Sequence, residues 1–395
     1  MVKPLRIGLI MSADKTWMGG VIYIQNLVKA IASLRSSDIQ IYLIIPSGLD
    51  PDLYKDICSF VQKVCVEPSL SFNWRNRIWW ALLRKLPFIP DGCLSKIVKR
   101  EKLDFLYPIT GIYGFSWNFG CAWAAWIPDF QHKYLPEFTQ KKRAEKLDLL
   151  FRYMGTNAPS MMFSSLVALQ DFQNFYPGSK SQNFVINFRT VPETEWFALD
   201  PIDVQHHYHL PDRFFLVSNQ FWKHKNHKII IESLAILKKE NICPIIVCTG
   251  NLNDIRFPGY GEEILELIHK YELDDKVKII GLIPRIEQIQ LMRRSLAVIQ
   301  PSLFEGWSTV VEDARVLGKA IILSDIPVHI EQSPPNAHYF CHNSPQDLAD
   351  KIKDLLNKLI PGPDLSAEET AKNMAQQQSQ IYAQDFIQIV KKLKT

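Results

Sequence analysis

Residues Pro301–Gln332 read PSLFEGWSTVVEDARVLGKAIILSDIPVHIEQ, and the punctuation of this stretch decides the fold. The apolar run Leu296–Gln300 just before it reads as a buried strand. A short loop with Glu305 and Gly306 follows. Val310, Val311, Ala314 and Leu317 recur at helical spacing and predict a helix that opens near Ser308–Thr309. Gly318 closes that helix, and Ala320–Leu323 starts the next strand. Such a strand–loop–helix–strand unit belongs to a parallel sheet covered by helices. Its loop ends on a helix N-terminus, where backbone N–H groups can receive an anionic, hydroxylated ligand. Two carboxylates, Glu305 and Glu312, flank that point and could grip sugar hydroxyls. Thr309-Val-Val-Glu312 is also a capping-box pattern that needs no ligand, so Glu312 keeps both readings.

The same alternation runs outward in both directions. Towards the C-terminal half, strands are predicted at Phe214–Ser218, Ile245–Thr249, Val277–Ile280 and Leu296–Gln300. Helices are predicted between them at Lys225–Lys239, Gly261–Tyr271 and Ile286–Arg293. An earlier series has strands at Leu5–Met11, Ile39–Ile45, Phe105–Tyr107, Ala122–Ile127, Met161–Ser164 and Phe184–Ile186. Its helices are expected near Val21–Leu34, Lys141–Met154 and Leu166–Phe175, with Gly19-Gly20 in a polar loop before the first. Between the series, Arg189–Arg213 is rich in Pro, acids and His and reads as a linker. Ala367–Leu393 looks helical and could pack back on the first half. The expectation is an α/β chain of two Rossmann-like domains, 1–200 and 201–374, with a C-terminal helix of about 375–395 added to the first. In open sheets of this kind, ligands bind beyond the carboxyl ends of the strands.

Composition sets bounds. At 395 residues the chain exceeds one ordinary core, and 47% hydrophobic with 22% charged residues is globular. A net charge of +4 argues against bulk nucleic-acid binding. Seven cysteines without a CxxC pair fit reduced thiols and a cytoplasmic location. No signal peptide or membrane-length apolar run is legible. Phe72–Phe88 (FNWRNRIWWALLRKLPF) joins three tryptophans to four basic residues. It reads either as a half-buried helix with snorkelling arginines or as a peripheral contact with an anionic membrane, at the inner face of the plasma membrane. Asp50-Pro-Asp52 is read as a turn. His206-His-Tyr-His209 lacks Cys or carboxylates at ligand spacing, so no metal is expected there.

With these placements the chain resembles the retaining glycosyltransferases of family 4, which have the GT-B fold of two domains facing across a cleft. The resemblance is strongest in Phe214–Asn226 (FFLVSNQFWKHKN) and Pro301–Gln332, and weaker in Gly19–Val21 and Trp126–Phe138. It implies that Glu305 meets the donor sugar and Glu312 its ribose, although these two enclose six residues where the family has seven. It implies that amides around Gly306, Trp307, Ser308, Thr309 and Val310 receive sugar or phosphate oxygens. Lys225 matches the family's diphosphate-binding Lys, while Gln220 stands where the family has Arg and brings no charge. Lys223, His224 or a side chain from elsewhere could substitute. Gly19 and Gly20 match the loop that approaches donor phosphates or acceptor. Asp129 matches the Asp of a His-Asp pair whose His position holds Pro128, with His132 a candidate substitute and the structural reading of both left open. Ile283, in Gly281–Pro284, lies where backbone groups would meet the nucleobase.

The implied reaction moves a hexose, with glucose from UDP-glucose as first expectation and GDP-mannose as second, to a saccharide or lipid-linked glycan in polysaccharide assembly. No cofactor or metal is expected. Lys225 and backbone amides would stabilise the departing diphosphate, because preorganised donors facing developing charge are usually the largest catalytic term. A sugar-nucleotide epimerase and a non-catalytic nucleotide-sugar-binding module are the competing readings.

Overall fold

Leu5–Ile10 forms an inner strand, β1, of a parallel sheet, flanked by β2 (Ile39–Pro46) on one side and β4 (Phe105–Ile109) on the other. The computed structural model describes residues 3–11, 13–70, 94–111, 117–254 and 257–394. The chain divides into two units, Met1–Phe130 with Glu145–Val191 and Gln377–Thr395, and Gln131–Ala144 with Pro192–Gln376. The basic aromatic stretch Phe72–Phe88 lies outside the described residues.

In the first unit the order is β3-β2-β1-β4-β5-β6-β7, with β3 at Lys63–Glu67, β5 at Ala122–Ile127, β6 at Ser160–Phe163 and β7 at Gln182–Val185. Register places Ile7 beside both Ile41 and Phe105. β4 and β6 are buried along their whole length, as strands covered on both faces must be. That is why they read as unbroken apolar runs. The long helix Leu365–Lys394 begins in the second unit, and its last turns pack into this core. There Phe386 meets Phe105 and Tyr107 at ring-centroid distances of 6.4 and 5.4 Å.

The second unit has the order β10-β9-β8-β11-β12-β13. Its strands are β8 (Phe215–Ser218), β9 (Ile246–Thr249), β10 (Val277–Gly281), β11 (Val298–Gln300), β12 (Ile321–Ser324) and β13 (Ala337–Phe340). In both sheets the fourth strand lies beside the first. The chain therefore reverses its winding direction there, and the loops on either side splay apart.

Two expectations are corrected. Arg189–Arg213 is not a plain linker: it holds helices Thr194–Ala198 and Pro201–His207. Trp196 and Leu210 enter the core of the second unit. The sparse apolar residues hid this, yet Asp200 is a working N-cap, accepting from the Ile202 amide at 2.9 Å with Pro201 at the first helical position. Gly19 and Gly20 are not in a loop but in the first turn of the helix Met18–Ser33. A Cβ on Gly20 would lie 2.8 Å from both Ala13 Cβ and the Trp17 ring, so the glycine lets Trp17 fold down on the helix. A Cβ on Gly19 would make only ordinary contact.

The start of the long helix is tied down by Arg293, whose guanidinium grips Glu368 at 2.7 and 3.0 Å and donates to the Trp196 and Leu199 carbonyls. Arg293 and Glu368 side chains are 2% and 7% exposed. Glu368→Ala leaves a buried, unpaired guanidinium and is expected to cost about 3–5 kcal/mol. Urea denaturation of the variant checks this; a loss under ~1 kcal/mol would mean that water or another group takes over the charge.

Candidate functional site

Each buried strand around the reversal in the second sheet ends on a polar residue: Ser218 in β8, with Asn219 next, Gln300 in β11 and Ser324 in β12. After β8 the chain makes a 3-10 turn, Lys223–Lys225, then Asn226 in the left-handed conformation (φ 58°), then the helix His227–Lys239. This turn holds Lys225 at the strand ends. After β11 the loop brings Glu305 to it, and Lys225 Nζ lies 2.5 Å from Glu305 Oε1. The same oxygen accepts from Gln300 Nε2 at 2.8 Å and Ser302 Oγ at 2.7 Å. None of these three bonds uses Oε2.

A second layer fixes these donors. Asn219 Nδ2 donates to Gln300 Oε1 at 2.7 Å, and Ser324 Oγ to the Ser302 carbonyl at 2.6 Å. The Leu303 amide donates to the His224 carbonyl at 2.8 Å, joining the two loops. Gly250 (φ 113°) lets the β9 loop pass against them, since a Cβ there would sit 2.2 Å from the Asn219 carbonyl oxygen. Burial pushes the Glu305 carboxyl up, but Lys225, then His224 and His329, outweigh it and hold the acid at about 2. At neutral pH the site therefore carries a charged, largely buried ion pair whose two side chains are 13% and 10% exposed.

His329, on the helix Pro327–Gln332, is fully buried with Nδ1 3.0 Å from the Ser324 carbonyl oxygen. Nδ1–H donating there leaves Nε2 as the bare nitrogen of a neutral ring, and no hydrogen-bond partner reaches it. Burial lowers its pKa to about 4 against the opposing pull of Glu305.

The helix Thr309–Val316 opens beside Glu305, and Gly318 (φ 60°) ends it as expected. Ser308 is the N-cap but makes no side-chain cap bond. Gln332 caps instead: its Oε1 accepts from the Ser308 amide and its Nε2 donates to the Ser308 carbonyl, both at 3.0 Å. The Ser308 amide is thereby committed to Gln332. The capping-box expectation is corrected, because the N-cap is Ser308 and Thr309 already lies inside the helix. Glu312 accepts from Gln332 Nε2 at 3.2 Å and lies 3.5 Å from Arg315 Nε. It is fully buried.

Gln220 accepts the Asn251 amide at 2.8 Å and so joins the β8 and β9 loops. Lys223 turns away from Lys225 and lies over Phe138 and Phe257 at 5.9 and 5.6 Å. Ile283 packs partly buried against the core. Arg285, which follows it, pairs with the buried Asp313 at 2.6 Å.

His132 is buried on the short helix Gln131–Tyr134, within the second unit. Tyr134 on that helix stacks on Phe304 at 5.4 Å, next to Glu305. Asp129 lies half-buried in the first unit, at the end of β5. In that unit Trp17, Trp126 and Tyr23 stack in turn, at 5.7 and 4.3 Å.

Asn219, Gln300, Ser302, Ser324, His329 and Gln332 escaped sequence reasoning. For Asn219, Gln300 and Ser324 a signal was present, as a polar residue at the end of an apolar strand. It is weak because many strands end on polar residues at the surface.

Among the described residues no helix is long and apolar enough to cross a membrane. Residues 202–378 match the family described as glycosyl transferases group 1. A Campylobacter jejuni N-acetylgalactosamine-N,N'-diacetylbacillosaminyl-diphospho-undecaprenol 4-alpha-N-acetylgalactosaminyltransferase is 26% identical over 184 residues, 44% of this chain and 47% of the relative. The Salmonella typhimurium O-antigen chain mannosyltransferase RfbU is 26% identical over 36% of this chain and 38% of its own. The chain thus spans less than half the length of either curated relative. Among solved structures, a glycosyltransferase from Rickettsia africae matches with a TM-score of 0.68 at 15% identity, covering 99% of both chains. Anabaena HepE, in complex with UDP and glucose, matches with a TM-score of 0.65 at 16% identity, over 98% of this chain and 100% of that one. These likenesses concern the fold. Residues 202–378 thus carry the glycosyl transferases group 1 signature, and with two parallel sheets wound in the same order the chain has the GT-B fold.

Proposed function

We propose that this protein is a retaining, metal-independent glycosyltransferase that moves a hexose from a nucleoside diphosphate sugar to a saccharide or lipid-linked glycan in polysaccharide biosynthesis. The observation that carries it is the Lys225–Glu305 pair, set at the reversal point of the second sheet and beside a helix N-terminus. That is where open α/β sheets bind ligands, and the pair offers a cation for phosphate and an acid for sugar hydroxyls.

In this reading the incoming diphosphate draws Lys225 away from Glu305. The Thr309 and Val310 amides at the helix N-terminus add donors without cost in reorganisation. Glu305, released on one side but still held by Gln300 and Ser302, turns to the donor sugar. Lys225 and the amides then stabilise the leaving diphosphate as the bond to the anomeric carbon breaks. The acceptor hydroxyl attacks from the face the leaving group vacates, and a leaving-group oxygen takes its proton. His132, carried beside the Glu305 loop by the Tyr134–Phe304 stack, serves the acceptor side. Glu312, locked under Gln332 and Arg315, acts as a positioning residue for the helix start.

UDP-glucose is our first donor. The relatives' names, an N-acetylgalactosaminyltransferase and a mannosyltransferase, make UDP-N-acetylgalactosamine and GDP-mannose necessary comparisons. The test is nucleotide release from a panel of UDP- and GDP-sugars, with chelator present and a mixed glycan and lipid-linked acceptor pool added, by wild type and Glu305→Ala. One sugar consumed by wild type and not by the variant supports the reading. Equal turnover by both proteins rejects Glu305, and turnover lost with chelator rejects metal independence.

A further inference from the structure

We propose that Asp325, Cys341 and His342 form a binding site for a zinc-like divalent cation. A carboxylate oxygen, a thiol sulfur and an imidazole nitrogen from these residues all lie within 4.8 Å of one another. They come from the loops that follow two hydrogen-bonded parallel strands, β12 and β13. No other group of three or more such side chains is found among the described residues.

The loops are held before any ion arrives. The Asp325 amide donates to the Phe340 carbonyl at 2.9 Å, and the His342 amide to Asp325 Oδ1 at 3.0 Å. Asp347 Oδ2 receives the Cys341 amide at 2.7 Å, and the Cys341 carbonyl receives the Ser344 amide at 2.9 Å. Both polar backbone groups of Cys341 are thus pinned by the start of the helix Pro345–Lys358. All three side chains are accessible: Asp325 and His342 are 40% and 41% exposed, and Cys341 is half-buried. At present Asp325 Oδ1 and His342 Nδ1 share a hydrogen bond of 2.6 Å, and Cys341 Sγ lies 3.0 Å from Asn343 Oδ1.

The donor set selects the cation. A mixed sulfur, nitrogen and oxygen set suits zinc, and cobalt as its stand-in, rather than magnesium or calcium, which require oxygen ligands. Three protein ligands leave the fourth tetrahedral position to water. Binding replaces the Asp325–His342 hydrogen bond and releases the thiol proton of Cys341, so affinity rises with pH. The site adjoins the Lys225 loop, because Asn226 Nδ2 reaches the His342 carbonyl at 3.4 Å. It takes no part in the transfer step proposed above, so the two readings stand or fall separately.

The test uses the full chain, stripped with chelator and titrated with Co²⁺ alone. A thiolate-to-cobalt charge-transfer band should grow to saturation at a single equivalent and vanish when Zn²⁺ is added. Cys341→Ser should abolish the band, and His342→Ala should weaken binding at least about tenfold. Asp347→Asn, which loosens the Cys341 loop without removing a ligand, should weaken it about 10–100-fold. Cys243→Ser, at an exposed thiol elsewhere, should leave the band intact. Absence of the band in folded wild type, or its persistence in Cys341→Ser, overturns the proposal.

Discussion

Lys225→Ala is expected to lower the rate of sugar transfer about 10²–10³-fold and, separately, to destabilise the protein by about 3–5 kcal/mol at pH 7. The first loss follows from the role proposed for Lys225 at the leaving diphosphate. The second follows from the geometry alone. Glu305 is held at about 2 chiefly because Lys225 stands 2.5 Å away. Without that cation a mostly buried carboxylate is left with the neutral donors Gln300 and Ser302, and it must either remain charged at a cost or take up a proton. The two losses can be separated. Glu305→Gln keeps an acceptor for Ser302 and Gln300 and frees Lys225, so nucleoside diphosphate binding should be retained or tightened while transfer falls. Combining Lys225→Ala with Glu305→Gln should restore most of the stability and none of the transfer. Urea denaturation of the four proteins closes a double-mutant cycle, and calorimetric binding of UDP and GDP reports on the freed lysine. If Lys225→Ala unfolds at the wild-type urea concentration and transfers within tenfold of wild type, the ion pair has neither role.

The second large effect is on pH. His227 is 1% exposed, stacked on Phe221 at a centroid distance of 4.0 Å, with neither ring nitrogen hydrogen-bonded. Burial, helped by the charge of Lys225, pushes its pKa from 6.5 down to about 3, and His329 is held at about 4. Both folded-state values lie below the unfolded one. As pH falls below about 6.5, the unfolded chain takes up protons that the folded chain refuses. Stability is therefore full above that pH and is lost on acidification, at about 1.4 kcal/mol per pH unit for each histidine. Between pH 7 and 5 the pair should remove about 4 kcal/mol. Below about 4.5 Glu305 adds a loss of the same sign, because its folded pKa is also depressed. Denaturation midpoints measured from pH 7.5 to 5 check the slope, and His227→Phe should remove about half of it. A midpoint that does not move over this range would mean that the rings are not buried as neutral imidazoles.

The inner strands of both sheets were legible because they are buried on both faces and leave apolar runs between turn signals, whereas the edge strands β3 and β13, only partly buried, were not. Ala122–Ile127 came out with its boundaries unchanged, and Gly318 marked the end of its helix for the reason given by its left-handed backbone. Errors fell where a few large side chains bury an otherwise polar segment, as Trp196 and Leu210 do in the supposed linker. They also fell where packing recruits a turn residue into a helix, as Trp17 does with Gly20.

At the site, the sequence singled out Glu305 by its place in a loop between a strand end and a helix start, and Lys225 through the family resemblance. It could not show that they meet. Eighty positions separate them along the chain, and only the strand order, with β11 laid beside β8, makes them neighbours. The same holds for Gln332, whose amide holds a helix N-cap, Ser308, 24 residues earlier. It holds again for Asp325 and His342, joined across 17 residues by the pairing of β12 with β13. Element type is written locally, in hydrophobic period and turn chemistry, and for the inner strands this sequence determined it alone. Which side chains share a proton, a charge or an ion is set by long-range strand pairing, and only the tertiary structure decided that.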